Sequence, residues 1–155
     1  MTNTSPHAQL MVTKRLDAKI PVPPSALLTL PLAQRQKSRF RAQLDTGEEV
    51  GLVLPRGTVL RDGDLLEAEN GLIIEVRSAP EKLSTAAAHD PILLARACYH
   101  LGNRHVPVQI RDDRVSYFQD HVLDDMLRAL GLEVTSDTAP FEPETGAYHN
   151  LGHHH

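Results

Sequence analysis

The chain has a single cysteine, no tryptophan and few other aromatic residues. Cys98 has no partner for an intrachain disulfide, so the sequence favours a reducing compartment. We interpret Cys98 as a small core residue on a helix. Because aromatic residues make up only 4% of the chain, a packed core must be built from Leu, Val, Ile and Ala. Small cores of this kind gain stability from a dimer interface.

Long apolar runs and an excess of basic charge are also absent. The formal net charge is −4 with His neutral, which argues against a duplex-binding protein, because such proteins usually carry a basic face. No stretch approaches the roughly 18 consecutive apolar residues of a membrane span. Residues 1–9 are polar, unlike a signal peptide. We therefore expect a cytoplasmic protein.

The first half of the chain is a series of short apolar runs separated by turn residues. Residues 10–16 are expected to form a first strand, and residues 38–44 alternate strictly between apolar and polar side chains, as strands do. Turn signals fall between the runs at Asp45-Thr46-Gly47, Arg56-Gly57, Asp62-Gly63 and Asn70-Gly71. This pattern predicts an all-β domain over residues 1–78 without a catalytic site of its own.

Basic residues recur at every second position within that half, at Arg35, Lys37, Arg39 and Arg41. In a strand they would line one face, which has two interpretations. One is a solvated edge strand that charge protects from aggregation. The other is a docking surface for an acidic protein partner, with Arg39 and Arg41 as the candidate binding residues.

The second half predicts the order β-α-β-β-α-β over residues 79–147, a ferredoxin-like arrangement. Asp90 before Pro91 is typical of a helix start, and Gly102 suits the left-handed residue that closes a helix. A second helix is expected to begin at Asp120 and end at Gly131. Its expected apolar stripe is Val122, Leu123, Met126, Leu127 and Leu130. Strands are expected at residues 82–87, 106–110, 115–118 and 132–135. The whole chain is thus predicted to be an α+β protein.

Histidines are the most informative residues, because neutral imidazole is the commonest protein ligand for late divalent transition metals. His105 follows the first predicted helix, where the fold fixes its position near the surface. A lone histidine is often a hydrogen-bonded structural residue, and a metal needs more than one ligand. A two-fold dimer would pair His105 with its copy. His100 and His121 are weaker candidates for metal binding. His100 also fits a structural role on the first helix, and His121 also fits an ordinary surface residue in the first turn of the second helix.

The end of the chain, residues 148–155, is predicted to be a flexible tail that carries further ligands. These candidate ligands are His149, His153, His154 and His155. A His-rich tract is typical of metal binding, although the last three residues also fit a remnant of an expression tag. Tethered beside a fixed histidine pair, such a tail acts at an effective concentration on the order of mM. It can therefore add ligands to a bound ion and withdraw them again.

Nothing in the sequence indicates catalysis directly. There is no Cys pair and no HExxH motif, so zinc hydrolase chemistry is poorly supported. Two alternatives to a metal carrier remain open. One is a metal-dependent hydrolase with Asp124 or Asp125 as general base. The other is a peptide-binding adaptor on the β half with a purely structural metal.

Three segments of the second half resemble the urease accessory protein E family (UreE), the nickel metallochaperones of urease maturation. They are Ala97-Cys98-Tyr99-His100-Leu101-Gly102-Asn103-Arg104-His105-Val106-Pro107, Asp120-His121-Val122-Leu123, and Pro140-Phe141-Glu142-Pro143 with Gly146-Ala147-Tyr148. The resemblance covers most of the second half, and its motifs occur in the expected order before a His-bearing end. Gln119 stands where some relatives carry an additional histidine.

The resemblance implies a homodimer that binds Ni²⁺ between the His105 residues of both subunits, with tail histidines completing the shell. It also implies handover to a complex of urease apoprotein with other accessory proteins, including a GTPase. Zn²⁺ and Cu²⁺ are expected to bind the same ligands, since affinity rises towards Cu²⁺ whatever the biological cargo. The nickel assignment rests on the resemblance alone.

Overall fold

The computed structural model describes residues 9–17 and 22–146. The chain divides into two compact units, one ending at Ala79 and the other beginning at Pro80. Among the described residues, no helix has both the length and the apolar character needed to cross a membrane.

The first unit contains one six-stranded sheet with the order β2-β6-β5-β1-β4-β3. The β1–β4 and β2–β6 pairs are parallel and the other pairs are antiparallel. Its elements are β1 (Leu10–Arg15), β2 (Ala26–Leu30), α1 (Leu32–Arg35), β3 (Arg39–Gln43), β4 (Glu49–Val53), β5 (Leu65–Ala68) and β6 (Ile73–Ser78). The unit is therefore mostly strands, but the short helix α1 means that it is not purely β.

The turns of the first unit lie where the sequence predicted them. Gly47, Gly57, Gly63 and Gly71 all have positive φ, between 86° and 96°. Glycine adopts such angles without the steric cost that a Cβ imposes. The alternation of residues 38–44 is also confirmed, because Leu44 is buried while Arg39 and Arg41 are exposed.

Arg35 does not belong to the row of exposed basic side chains that the sequence predicted. It lies in α1, is 1% exposed, and donates from Nε to the carbonyl of Leu30 at 3.2 Å. Pro31 begins this helical turn, so the extended conformation starts only at Arg39. The basic residues alternate from Arg35 to Arg41, but a boundary between helix α1 and strand β3 lies within this run. The sequence spacing alone did not reveal that boundary.

The second unit has the element order β-α-β-β-α-β and one antiparallel sheet with the order β10-β7-β9-β8. Its elements are β7 (Pro80–Ala87), α2 (Pro91–Asn103), β8 (Gln109–Ile110), β9 (Arg114–Phe118), α3 (His121–Ala129) and β10 (Glu133–Pro140). Strand β10 is longer than predicted, since it pairs with β7 along eight residues. Strand β8 is shorter, because it follows Pro107, which has no N–H to donate to a ladder.

Both helices begin at the predicted capping residues. Asp90 accepts a hydrogen bond from the Ile92 N–H, and Asp120 accepts from the N–H groups of Val122 and Leu123. The second helix ends at the predicted glycine, since Gly131 has a φ of 104°. Leu123 and Leu127 form its buried stripe, but Val122 is 54% exposed, so its assignment to the stripe was wrong. Val122 lies in the first turn, at the margin of the stripe.

Candidate metal centre

His105 lies in the turn that joins α2 to β8. Its side chain is exposed and its φ is 58°, the only positive value at a non-glycine position within the described part of the chain. Its N–H donates to the Gly102 carbonyl at 3.0 Å, which closes the helix end. Histidine tolerates the left-handed region better than most residues. The turn therefore directs one imidazole into solvent.

The prediction for Gly102 was wrong for a related reason. Gly102 remains inside α2, which continues to Asn103, and His105 takes the left-handed conformation instead. Leu101 is fully buried and anchors the last turn of α2 in the core. The chain therefore stays helical through the next residue, Gly102. The sequence pattern identified the end of the helix, but not the residue at which the chain reverses.

The turn is fixed on both sides by packing. Leu101 is part of the core of the second unit, and Val106 and Val108 pack against the same core. His105 lies between these anchors, so its Cα position is set by buried apolar contacts although its side chain is exposed. Such a residue suits ligand binding, because little conformational entropy of the backbone remains to be lost.

A segment after β10, residues 141–146, contacts the strand segment that follows this turn; we call it the connector. Phe141 is fully buried and packs edge to face on Phe118, with ring centroids 4.7 Å apart. The Glu142 N–H donates to the Gln109 side chain at 3.2 Å, and the Glu144 N–H donates to the Val108 carbonyl at 2.7 Å. The connector is thus hydrogen-bonded to the strand segment that follows His105.

The sequence reasoning did not anticipate that the connector is fixed to this strand segment. Phe141, an aromatic residue between two prolines, is the signal from which it could have been found, because an isolated aromatic side chain in a polar segment needs a buried contact. The tail candidates His149, His153, His154 and His155 lie outside the described residues.

His100 and Cys98 are both partly buried on α2. His100 is half-buried on α2 and contacts the ring of Tyr99 edge to face, with centroids 5.3 Å apart. Burial raises the pKa of the Cys98 thiol, and the Glu144 carboxylate raises it further. The thiol is therefore protonated at neutral pH, which disfavours it as a metal ligand and agrees with a packing role.

His121 is the first residue of α3 and is exposed. It lines an open surface depression of about 540 Å³ together with Gln119, Asp120, Val122 and Asp124. Asp120 is already engaged as the helix cap, and Asp124 accepts the Tyr117 hydroxyl at 2.6 Å. The carboxylates of Asp120 and Asp124 beside His121 therefore already accept hydrogen bonds within the protein.

The two carboxylates considered as general bases are both engaged. Asp124 is 6% exposed, and its partner Tyr117 is fully buried. Burial raises the pKa of Tyr117 above its ordinary value, and the hydrogen bond to Asp124 raises it further. Asp125 pairs with Arg128 at 3.6 Å on the surface. This buried Tyr–Asp pair is a structural feature that the sequence reasoning did not identify.

Within residues 9–17 and 22–146, no three His, Cys, Asp or Glu side chains come together as a possible metal site. His105 is thus a single exposed imidazole without a second described ligand. A complete coordination shell would need ligands from the tail or from another copy of the chain.

Arg39 and Arg41, the partner-binding candidates, lie on β3 at the edge of the first sheet. Both side chains are exposed. This arrangement is compatible with both interpretations made from the sequence, a protected edge and a docking surface.

Comparison with known proteins matches almost the whole chain to one family. Residues 12–79 match the N-terminal domain of the UreE urease accessory protein, and residues 81–155 match its C-terminal domain. The chain belongs to the UreE family of urease accessory proteins. Among UreE proteins, one from Alkalilimnicola ehrlichii is 58% identical over 139 residues, which cover 90% of this chain and 84% of the relative.

Two further UreE proteins match a comparable share of the chain at somewhat lower identity. One from an Enterobacter species is 54% identical over 145 residues, covering 93% of this chain and 94% of the relative. One from Escherichia coli O157:H7 is 50% identical over 147 residues, covering 94% of each chain. The resemblance found in the motifs of the second half is therefore confirmed, and the family match extends to the first half as well.

Proposed function

We propose that the protein is a cytoplasmic nickel chaperone of urease maturation and not an enzyme. It acts as a homodimer in which His105 of both subunits holds one Ni²⁺ as cargo. The tail histidines His149 and 153–155 add adjustable ligands, and the ion is handed to urease apoprotein and its other accessory proteins, including a GTPase. Support comes from membership of the UreE family and from the exposed imidazole in a fixed turn.

The observation that carries this proposal is the hydrogen bond between Glu144 and Val108. It holds the connector, which precedes the tail in sequence, against the segment that follows His105. His149 lies five positions after Glu144, and an extended chain over that interval spans at most about 18 Å. Three residues from Val108 to His105 span at most about 11 Å. The tail is thus short, yet its first histidine has enough chain to meet an ion on His105.

A dimer supplies the second fixed ligand. Helix α2 carries two exposed apolar side chains seven residues apart, Ile92 at 60% and Tyr99 at 66% exposure, which places them on one face. Burying this face against a second copy would remove apolar surface from water. Because α2 ends directly before the His105 turn, a two-fold axis that passes near the C-terminal end of α2 would bring both copies of that turn together.

The domain roles follow from this assignment. Residues 79–147 form the metal-binding and dimerisation domain, which we class as ferredoxin-like, and residues 148–155 form the flexible tail. Residues 1–78 form the partner-binding domain, with Arg39 and Arg41 as docking residues. Zn²⁺ and Cu²⁺ compete for the same imidazoles, so selection of nickel depends on the handover partners rather than on affinity.

The test is calorimetry with Ni²⁺ on the full chain, His105→Ala and the matched control His89→Ala, which also removes an exposed histidine of the second unit. The parent is expected to bind its tightest ion at one per two chains. His105→Ala is expected to lose that ion, and His89→Ala to keep it. A His105→Ala protein that binds the first ion as tightly as the parent contradicts the assignment.

A further inference from the structure

Strand β3 has a backbone edge that no described residue pairs with. In its antiparallel pairing with β4, the Leu44 N–H donates to Glu48 and the Leu54 N–H donates to Ser38. Hydrogen-bonded and non-hydrogen-bonded pairs alternate along such a ladder. The N–H and C=O groups of Phe40 and Ala42 therefore point towards β4.

By the same alternation, the backbone groups of Arg39, Arg41 and Gln43 point away from β4. Each of these residues is opposite its β4 partner at a non-hydrogen-bonded position of the register. Arg39, Arg41 and Gln43 thus each present a backbone N–H and C=O group without a strand partner among the described residues along the sheet edge. A row of this kind is a template for one more strand.

The opposite edge strand, β2, faces this row across a cleft. The two edges meet at one end, where the Asp45 N–H donates to the Leu27 carbonyl at 2.9 Å. Beyond that contact they enclose a cavity of about 370 Å³. Its lining includes Thr29 and Leu30 from β2 and Arg41, Ala42 and Gln43 from β3.

The charge along the edge is not neutralised within the described chain. Arg39 and Arg41 are exposed, and neither forms an ion pair or a side-chain hydrogen bond with a residue in the described ranges. Glu49 lies opposite Gln43 and lines the same cavity, while Glu48 directly precedes β4. Positive charge along the edge is therefore confined to Arg39 and Arg41, and the Gln43 end carries a carboxylate beside it.

We propose that the outer edge of β3 binds an extended acidic segment of a partner protein as an added strand. The segment's backbone pairs with Arg39, Arg41 and Gln43, and carboxylates at alternate positions pair with the two guanidinium groups. Side chains on a strand repeat every second residue, so two acidic residues separated by one other residue match this spacing. The proposal specifies how the docking at Arg39 and Arg41 works and does not require nickel.

Arginine makes charge-assisted, often bidentate bonds to carboxylates, whereas ladder hydrogen bonds are independent of side chains. Affinity is therefore expected to come from the backbone pairing and selectivity from the arginines. If the charges only protect the edge from aggregation, an acidic peptide would not form ladder bonds there. This difference can be measured directly.

The test uses metal-free full-length protein and a fluorescent octapeptide of alternating Glu and Thr. One control peptide has Lys in place of Glu. The other keeps Glu and carries N-methyl groups on every second backbone amide, so its charge is unchanged but those amides cannot donate ladder hydrogen bonds. Arg39→Glu with Arg41→Glu is expected to weaken binding of the first peptide at least tenfold. Arg56→Glu, a charge reversal in an exposed turn of the same unit, is expected to leave it unchanged.

Amide exchange followed by NMR separates strand addition from simple charge attraction. With bound peptide, exchange at Arg41 and Gln43 is expected to slow at least tenfold, while Phe40 and Ala42, already bonded to β4, change little. No binding, equal binding of the N-methylated peptide, or binding without protection at Arg41 would overturn the proposal. Because nickel is absent, such a failure leaves the assignment of His105 intact.

Discussion

A left-handed backbone conformation at a non-glycine residue costs free energy, and His105 has this conformation. Non-glycine residues in this region lose on the order of 1–2 kcal/mol relative to the right-handed conformation. Such outliers persist where the surrounding structure holds them and are frequent at functional sites. At His105 the anchors are Leu101, Val106 and Val108, which pack into the core on either side.

Substitution of His105 separates the backbone from the imidazole. We expect His105→Gly to be more stable than His105→Ala by about 1 kcal/mol, because only alanine has a Cβ that opposes positive φ. Both variants are expected to lose the tightest nickel ion. Urea denaturation of the metal-free proteins measures the first effect and calorimetry the second. Equal stability of the two variants would show that the turn relaxes to a right-handed conformation.

A second residue-scale expectation concerns Tyr117. Burial and the hydrogen bond to Asp124 raise its pKa in the folded state above the ordinary value of about 10. The folded state therefore binds this proton more tightly than the unfolded state does. The stability from the protonated phenol is fully present below about pH 10 and is lost as the pH rises further towards the raised folded pKa.

The test is urea denaturation at several pH values from 8 to 11 for the parent and Tyr117→Phe. At pH 8 the variant is expected to be less stable by about 1–3 kcal/mol, because Asp124 is left buried without its donor. Above pH 10 the stability of the parent is expected to fall more steeply than that of the variant. Parallel curves for the two proteins would contradict the pKa assignment.

At the scale of single elements, α3 is defined by local signals at both ends. Asp120 caps the N-terminus through the N–H groups of Val122 and Leu123, and Gly131 follows the C-terminus with positive φ. These contacts join residues within three positions of each other. For that reason the sequence pattern predicted both ends of the helix, while it misassigned Val122, whose burial depends on what packs over it.

Removal of the cap gives an element-scale prediction. Asp120→Ala is expected to lower the free energy of unfolding by about 1 kcal/mol, since two backbone donors lose their acceptor. Asp125→Ala on the same helix is the matched control, with an expected effect within about 0.5 kcal/mol, because its pair with Arg128 is exposed. Thermal denaturation of both variants measures the difference. A larger loss for Asp125→Ala would contradict this account of the helix start.

At the scale of the whole molecule, the proposed site needs three parts that are far apart in sequence or on different chains. They are the His105 turn, the tail that follows the connector, and the second subunit. The connector precedes the tail in sequence, and its Glu144 N–H donates to the carbonyl of Val108, three residues after His105. A flexible chain that begins near a binding site raises the local concentration of its ligands.

Deletion of the tail tests this arrangement. A chain ending at Tyr148 is expected to remain dimeric and to bind one ion per two chains, but with at least tenfold weaker affinity. A chain with His153, His154 and His155 replaced by alanine shows how much His149 contributes alone. Calorimetry combined with light scattering measures affinity and assembly together. Unchanged nickel affinity after truncation would remove the tail from the coordination shell.

The sequence by itself determined the features that depend on neighbouring residues. These are the glycine turns, the capping residues Asp90 and Asp120, the alternation of β3 and the order of elements in the second unit. The short UreE motifs were also sufficient to find the family. Each of these signals lies within a few residues of chain, so no distant contact is needed to interpret it.

Only the tertiary structure decided which of the candidate residues are available for binding. Arg35 is buried while Arg39 and Arg41 are exposed, although all three belong to one alternating row of charges. The left-handed residue is His105 rather than Gly102 because the core holds Leu101 on one side and Val106 on the other. The connector contact joins residues 36 positions apart, Val108 and Glu144. Burial and long-range hydrogen bonds depend on the packed chain as a whole, so local spacing does not encode them.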